Sequence, residues 1–171
     1  MPGSGKTHFG RRLAAVLKMS FLDLDQLIEK EEGMSIRQIV EEKGEAGFRE
    51  MEAKVLRTTE HLYSVVISCG GGTPIYNENM GWIKNRGLVL WINTDLEIIC
   101  KRIAQNLGRR PMFVGLSDVE LERKIHKIYV ERAKIYAKSD LQVKIGASSK
   151  PLLNLVIQKI MLLNRNKNRR L

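Results

Sequence analysis

Apolar residues Phe9, Leu13, Val16 and Leu17 recur three to four positions apart, which predicts a helix of about three turns. A glycine-rich stretch, residues 1–7 (MPGSGKT), stands directly before it. Residues 20–24 read as a short strand, and Asp25 is placed to cap a helix that runs to Glu32 and stops at Gly33. Two further helices are expected over 35–43 and 45 to about 62, divided at Gly44, with Phe48, Met51, Val55 and Leu56 along one face. Residues 63–68 (YSVVIS) form a continuous run rich in β-branched side chains, the kind buried on both faces of a parallel sheet, and Gly70, Gly71 and Gly72 end it. Beyond it, helices over 77–86, 95–105, 118 to about 138 and 150–163 alternate with strands over 88–92 and 141–145.

Strand and helix in alternation imply an α/β fold: a parallel sheet with helices on both faces, whose ligands gather at the carboxyl ends of the strands. With 171 residues a single domain suffices, taken here as residues 1–163 followed by a tail at 164–171. Residues 106–117 hold two glycines, a proline and two arginines without periodicity, a loop long enough for a lid over a site.

Composition narrows the picture further. Cys69 and Cys100 are far apart in apolar runs, without Cys or His neighbours at zinc-ligand spacing, and read as buried thiols of a reducing compartment. The apolar stretches are short for a bilayer and the opening residues do not resemble a secretion signal, so a cytoplasmic location without membrane contact is expected. The net charge of +10 raises the question of nucleic acid. Four of the cations, Arg165, Lys167, Arg169 and Arg170, crowd into the terminal tail, where a solvated role suffices, and no aromatic residue interleaves with them. No nucleic-acid partner is expected.

The candidate chemistry starts at the opening stretch. Gly5, Lys6 and Thr7 supply the last three places of the phosphate-loop motif. There backbone N–H groups cradle a polyphosphate, the lysine bridges its β and γ phosphates, and the Thr7 hydroxyl ligates magnesium. Asp23 and Asp25 stand two apart at a strand end; such a pair suits a magnesium water shell and an attacking hydroxyl, while a helix cap also accounts for Asp25. Arg49 and Glu52 lie one helical turn apart, either as a surface ion pair or as a guanidinium clamp held for a carboxylate substrate. Arg132 admits the same two readings. Three successive glycines after a buried strand favour a binding loop, since no side chain keeps a ligand away. Arg109 and Arg110, followed by Pro111, are either a solvated loop pair or cations that a lid would bring onto a transferring phosphoryl group.

Taken together, GSGKT, the D-x-D at 23–25, FRxxE at 48–52, GGG at 70–72, RP at 110–111 and ERxxxY at 131–136 resemble the shikimate kinase family over nearly the whole chain. The resemblance implies a three-layer P-loop fold of the nucleoside monophosphate kinase type and ATP-dependent phosphorylation of the 3-hydroxyl of shikimate, with a related kinase of gluconate or nucleoside monophosphates, or a catalytically impaired truncated form, as the alternatives. It implies ATP at Gly3, Ser4, Gly5, Lys6, Thr7 and His8, with Arg102 and Pro151 at the adenine and Arg110 as the lid arginine. Magnesium falls to Thr7 with Asp23 behind it, and shikimate to Asp25, Arg49, Gly70, Gly71, Gly72 and Arg132. Lys6, Asp25 and Arg110 are the implied catalytic residues, and a monomer is the implied state. Relatives of this kind carry an apolar strand and a further glycine ahead of the phosphate loop. Such a strand is therefore expected upstream of Met1, in mid-sheet between the region ending at Leu24 and Asp25 and residues 88–92.

Overall fold

A computed structural model describes residues 1–106, 111–146 and 152–168. Among the described residues there are four strands: β1 (Ser20–Asp23), β2 (Val65–Ser68), β3 (Leu90–Thr94) and β4 (Leu141–Ile145). Around them pack α1 (Lys6–Leu17), α2 (Leu24–Glu32), α3 (Ile36–Thr58), α4 (Asn79–Arg86), α5 (Leu96–Ala104), α6 (Asp118–Tyr136) and α7 (Leu152–Asn168). The alternation read from the sequence is the alternation observed, and the fold is α/β with parallel pairing throughout.

Boundaries moved where tertiary contacts overrode local preference. The expected strand over 63–68 begins only at Val65, because Ser64 takes a left-handed turn (φ 50°) and Tyr63 is 88% exposed. The strand expected over 88–92 runs instead from Leu90 to Thr94. Asp140 pins the residue before it: its carboxylate accepts the Val89 N–H at 2.8 Å while its own N–H donates to the Val89 carbonyl. Gly44 divides the long α3 as anticipated, adopting φ 72° and ψ 173° between two helical segments. Asp25, by contrast, is not the cap of α2. Asp23 occupies that position and its side chain accepts the N–H of Asp25.

Helix starts at Ser35 and Ser117 carry reciprocal capping boxes, with Gln38 and Glu120 reaching back to the cap residue. Between α5 and α6, Pro111–Phe113 form a 3-10 turn whose Phe113 is fully buried against Ile99, Ile103 and Ile125. Phe113 thus anchors the segment between α5 and α6 to the core. Arg109, Arg110 and Pro151 lie outside the described residues, as does the end of the basic tail.

Three apolar clusters hold the layers together. Leu13 of α1, Ile92 and Val143 of β3 and β4, and Val156 and Ile157 of α7 form one face. Ile99, Ile103, Leu121 and Ile125 of α5 and α6 pack behind Trp91 on another. Leu24, Ile28, Ile39, Phe48 and Leu56 join α2 to α3.

Among the described residues the sheet does not run unbroken. The strands make two separate parallel pairs, β1 with β2 and β3 with β4. A cavity of about 640 Å³ reaches the inner strand of each pair, lined among others by Val65, Ile67, Cys69, Leu88, Leu90 and Trp91. The strand beside this slot on one side is β2, not the region ending at Leu24 and Asp25, because β2 pairs with β1 along Ser20–Asp23. Both cysteines are free and half-buried rather than fully buried. Among the described residues no helix is long and apolar enough to cross a membrane.

Candidate active site

The carboxyl ends of β1 and β2, the start of α1 and the triple glycine converge on one region. Gly3 (φ 73°) and Gly5 (φ 83°) both take left-handed conformations that side chains resist, so the chain can wind tightly into α1. Gly5 is the cap residue of that helix, and Lys6 and Thr7 open its first turn. Unpaired N–H groups and the positive end of the helix dipole therefore face outward there, a ready anion site.

Two distant residues brace this loop. Thr94, at the end of β3, donates its hydroxyl to the buried Ser4 carbonyl at 2.8 Å. Arg102 of α5 donates to the Gly3 carbonyl at 3.2 Å, which sets its guanidinium against the phosphate loop. His8 is exposed one position further along α1. The Thr7 hydroxyl donates to Asp23 Oδ2 at 2.9 Å and lies 3.4 Å from the Ser68 hydroxyl. Asp23 is buried, with Oδ2 turned to Thr7 and Oδ1 accepting the Asp25 N–H at 3.1 Å. Its cap role leaves the carboxylate of Asp25 free to face the site.

The triple glycine lies within a few ångströms of the remaining candidates, which is visible in what a Cβ would strike. At Gly70 it would lie 2.4 Å from Glu52 Oε1 and 3.3 Å from Asp25 Oδ1. At Gly71 it would lie 3.1 Å from Arg132 Nη1, and at Gly72 2.4 Å from Arg49 Cζ. Each glycine accommodates a different polar side chain, the physical reason three stand together. The Gly71 carbonyl also accepts the buried Tyr136 hydroxyl.

Arg49 and Glu52 are not the surface pair that the sequence left open. Glu52 is completely buried and accepts from Arg49 Nη1 at 2.7 Å, while Arg49 itself is one-fifth exposed. A second, exposed carboxylate, Glu45, pairs with Arg49 at 3.3 Å. Burial pushes Asp25 above the ordinary aspartate range; Lys6 opposes the shift and Asp23 and Glu52 add to it. A half-buried carboxylate is thus held between two cations, Lys6 and Arg49, and two other carboxylates.

Sequence reading named most of this constellation and missed part of it. Thr94, Thr73 and Tyr136 belong to no phosphate-binding motif, and their hydrogen bonds join segments from 21 to 90 residues apart. The only available signal was for Tyr136, which closes the ERxxxY pattern.

Comparison with known proteins agrees with this geometry. A family profile described as shikimate kinase matches residues 2–162. A shikimate kinase of Prochlorococcus marinus is 37% identical over 147 residues, spanning 86% of this chain and 74% of its own length. One from Nostoc punctiforme is 35% identical over 162 residues, 94% of this chain and 87% of its own. Among solved structures, the shikimate kinase of Bacteroides thetaiotaomicron superimposes with a TM-score of 0.85 at 29% identity, covering 95% of this chain and 93% of that one. The Acinetobacter baumannii enzyme, solved in complex with shikimate, gives 0.80 at 29% identity over 97% of this chain and 89% of that one. With a phosphate loop, an arginine paired to a buried glutamate and a glycine loop in one place, and these relatives along almost its full length, the chain belongs to the shikimate kinase family.

Proposed function

We propose that this chain transfers the γ-phosphoryl group of ATP to the 3-hydroxyl of shikimate, with the residues around the triple glycine holding the acceptor. As a member of the shikimate kinase family it is an ATP-using kinase acting on shikimate. The observation that carries the finer reading is the apposition of Asp25, Arg132 and Arg49 to Gly70, Gly71 and Gly72 in turn. Two guanidinium groups suit the carboxylate of shikimate, and one carboxylate suits its hydroxyls.

In the reaction the 3-oxygen attacks the γ phosphorus, the bond from that phosphorus to the β-phosphate oxygen breaks, and the hydroxyl proton departs. The N–H groups at the start of α1 and the Lys6 ammonium neutralise the phosphates. Asp25 aligns the hydroxyl and accepts its proton, or fixes its direction while the proton leaves to solvent. A loose transition state demands alignment and charge neutralisation above all. In our reading Arg110 supplies a further cation from the lid, and Arg102 and Pro151 border the nucleotide.

Magnesium suits the donors present. The Thr7 hydroxyl, with Asp23 Oδ2 and the Ser68 hydroxyl beside it, offers hard oxygen atoms, and this ion takes few protein ligands when phosphates and waters complete its shell. Bound there, it would offset the charge of the β and γ phosphates. We take the chain as one kinase domain over 1–163 in the cytoplasm without a nucleic-acid partner, on the sequence grounds given above, and as a monomer from the family resemblance. Size-exclusion chromatography with light scattering tests the oligomeric part.

A coupled ADP-release assay decides the reaction. Turnover is expected to depend on shikimate and to remain at background with gluconate or a nucleoside monophosphate. Equal stimulation by either of those would overturn the assignment of the acceptor.

A further inference from the structure

Three polar side chains next to the site, Glu52, Thr73 and Asn79, are completely buried. Buried groups of this kind are retained only when each finds partners, and a connected set of them fixes geometry more firmly than its members would singly. Here they form one directed chain. Asn79 Oδ1 accepts from Arg57 Nη2 at 2.8 Å, and Asn79 Nδ2 donates to the Thr73 main-chain carbonyl at 2.8 Å. The Thr73 hydroxyl donates to Glu52 Oε1 at 2.5 Å, and Glu52 Oε2 accepts from Arg49 Nη1 at 2.7 Å. The outer end is fixed as well, since the Arg57 guanidinium lies 4.5 Å from the Trp82 ring centre.

We propose that Thr73 and Asn79 are positioning residues for the substrate carboxylate, acting through Glu52 on the Arg49 guanidinium. Glu52 has one oxygen for Arg49 and one for Thr73. Removing the Thr73 hydroxyl leaves Oε1 short of a donor in a site without water access, and the carboxylate turns to share Arg49 more fully. Asn79 acts one step back, holding the 3-10 turn Thr73–Ile75 so that the hydroxyl meets Glu52. Gly72 immediately precedes that turn and stacks against Arg49, so the same chain sets both the loop and the cation it faces. The proposal rests on Arg49 being the partner of the shikimate carboxylate.

The test compares kcat/KM for shikimate with kcat/KM for its analogue bearing a hydroxymethyl group in place of the carboxylate. Thr73→Val is expected to shrink the preference for the acid by about tenfold, with KM for ATP within about twofold of the parent. Thr73→Ser, which keeps the donor, is expected to restore the preference. Asn79→Asp keeps the size and the Arg57 partner while losing the amide donor, and is expected to give a smaller loss, roughly threefold; it tests the chain even where Thr73→Val fails to fold. A fall in melting temperature with the acid preference intact in both Thr73→Val and Asn79→Asp would overturn the proposal and leave these residues a purely structural role. Arg49→Ala separates the two levels. If it abolishes the preference while the other variants keep it, the relay is wrong. If it too keeps the preference, Arg49 does not bind the carboxylate and the relay falls with it.

Discussion

Asp23 and Asp25 divide two tasks that the sequence could not apportion. Asp23 caps α2 and takes the Thr7 hydroxyl, so Asp25 carries the burial cost in the site. Its pKa in the fold lies above the ordinary value. Between those two values the folded chain therefore binds more protons than the unfolded one, and stability falls as pH rises through that window. The contribution is fully present below about pH 4 and lost above the folded pKa. Asp25→Asn removes the ionisation, so at neutral pH the variant is expected to melt above the parent, with the gain vanishing in acid; melting curves across pH check this. The same variant is expected to lose roughly a hundredfold or more in kcat. The acid limb of the parent's kcat/KM profile should sit above the ordinary aspartate range, since the group must ionise to accept the hydroxyl.

At the scale of elements, loops are fixed by what their glycines leave room for. Gly72 takes an ordinary right-handed conformation, so space rather than backbone strain requires it. Gly72→Ala would drive a methyl group into the Arg49 guanidinium, 2.4 Å away. The expected result is a KM for shikimate raised about tenfold or more, with a stability loss of about 1–3 kcal/mol. Gly44→Ala makes the contrast. Nothing lies within 4 Å of where its Cβ would stand, but φ is 72° with ψ 173°, a conformation almost confined to glycine, so the cost is about 1–3 kcal/mol of backbone strain with both KM values unchanged. Steady-state kinetics and urea melts of the two variants distinguish the cases. On the ATP side, Thr94→Val removes the hydroxyl that holds Ser4 and is expected to raise KM for ATP several-fold while leaving that for shikimate nearly unchanged.

For the whole molecule, the slot between β2 and β3 is the feature with the largest consequence. Among the described residues each parallel pair ends at an inner strand whose outward edge faces apolar side chains rather than another strand. Among the described residues the indole N–H of Trp91, beside this slot, is buried without a hydrogen-bond partner. Unpaired strand edges beside an apolar cavity withhold ladder hydrogen bonds and packing contacts from the core. An apolar segment of about six residues, a typical strand length, fused ahead of Met1 is expected to enter the slot and raise the melting temperature by several degrees, since about 1 kcal/mol shifts a domain of this size by roughly 2–4 °C. An unchanged melting temperature would mean that the slot closes by itself in solution.

Local signals determined a large part of this protein. The period of apolar residues marks α1 and α3, the β-branched run marks β2, and glycines mark the ends of helices. Short motifs mark the phosphate loop, the Arg49–Glu52 pair and the triple glycine, because their chemistry needs particular residues at fixed spacing. The tertiary structure decided the pairings. It made Asp23 rather than Asp25 the cap, turned Arg49 and Glu52 from a possible surface pair into an ion pair whose carboxylate is buried, and set the strands in two parallel pairs. It also brought Thr94 to Ser4 across 90 residues of chain and Asn79 to Thr73 beside Glu52. Periodicity and spacing report which face of an element is apolar. They carry no record of which distant polar group will satisfy a buried donor, and that choice is made only when the layers close around it.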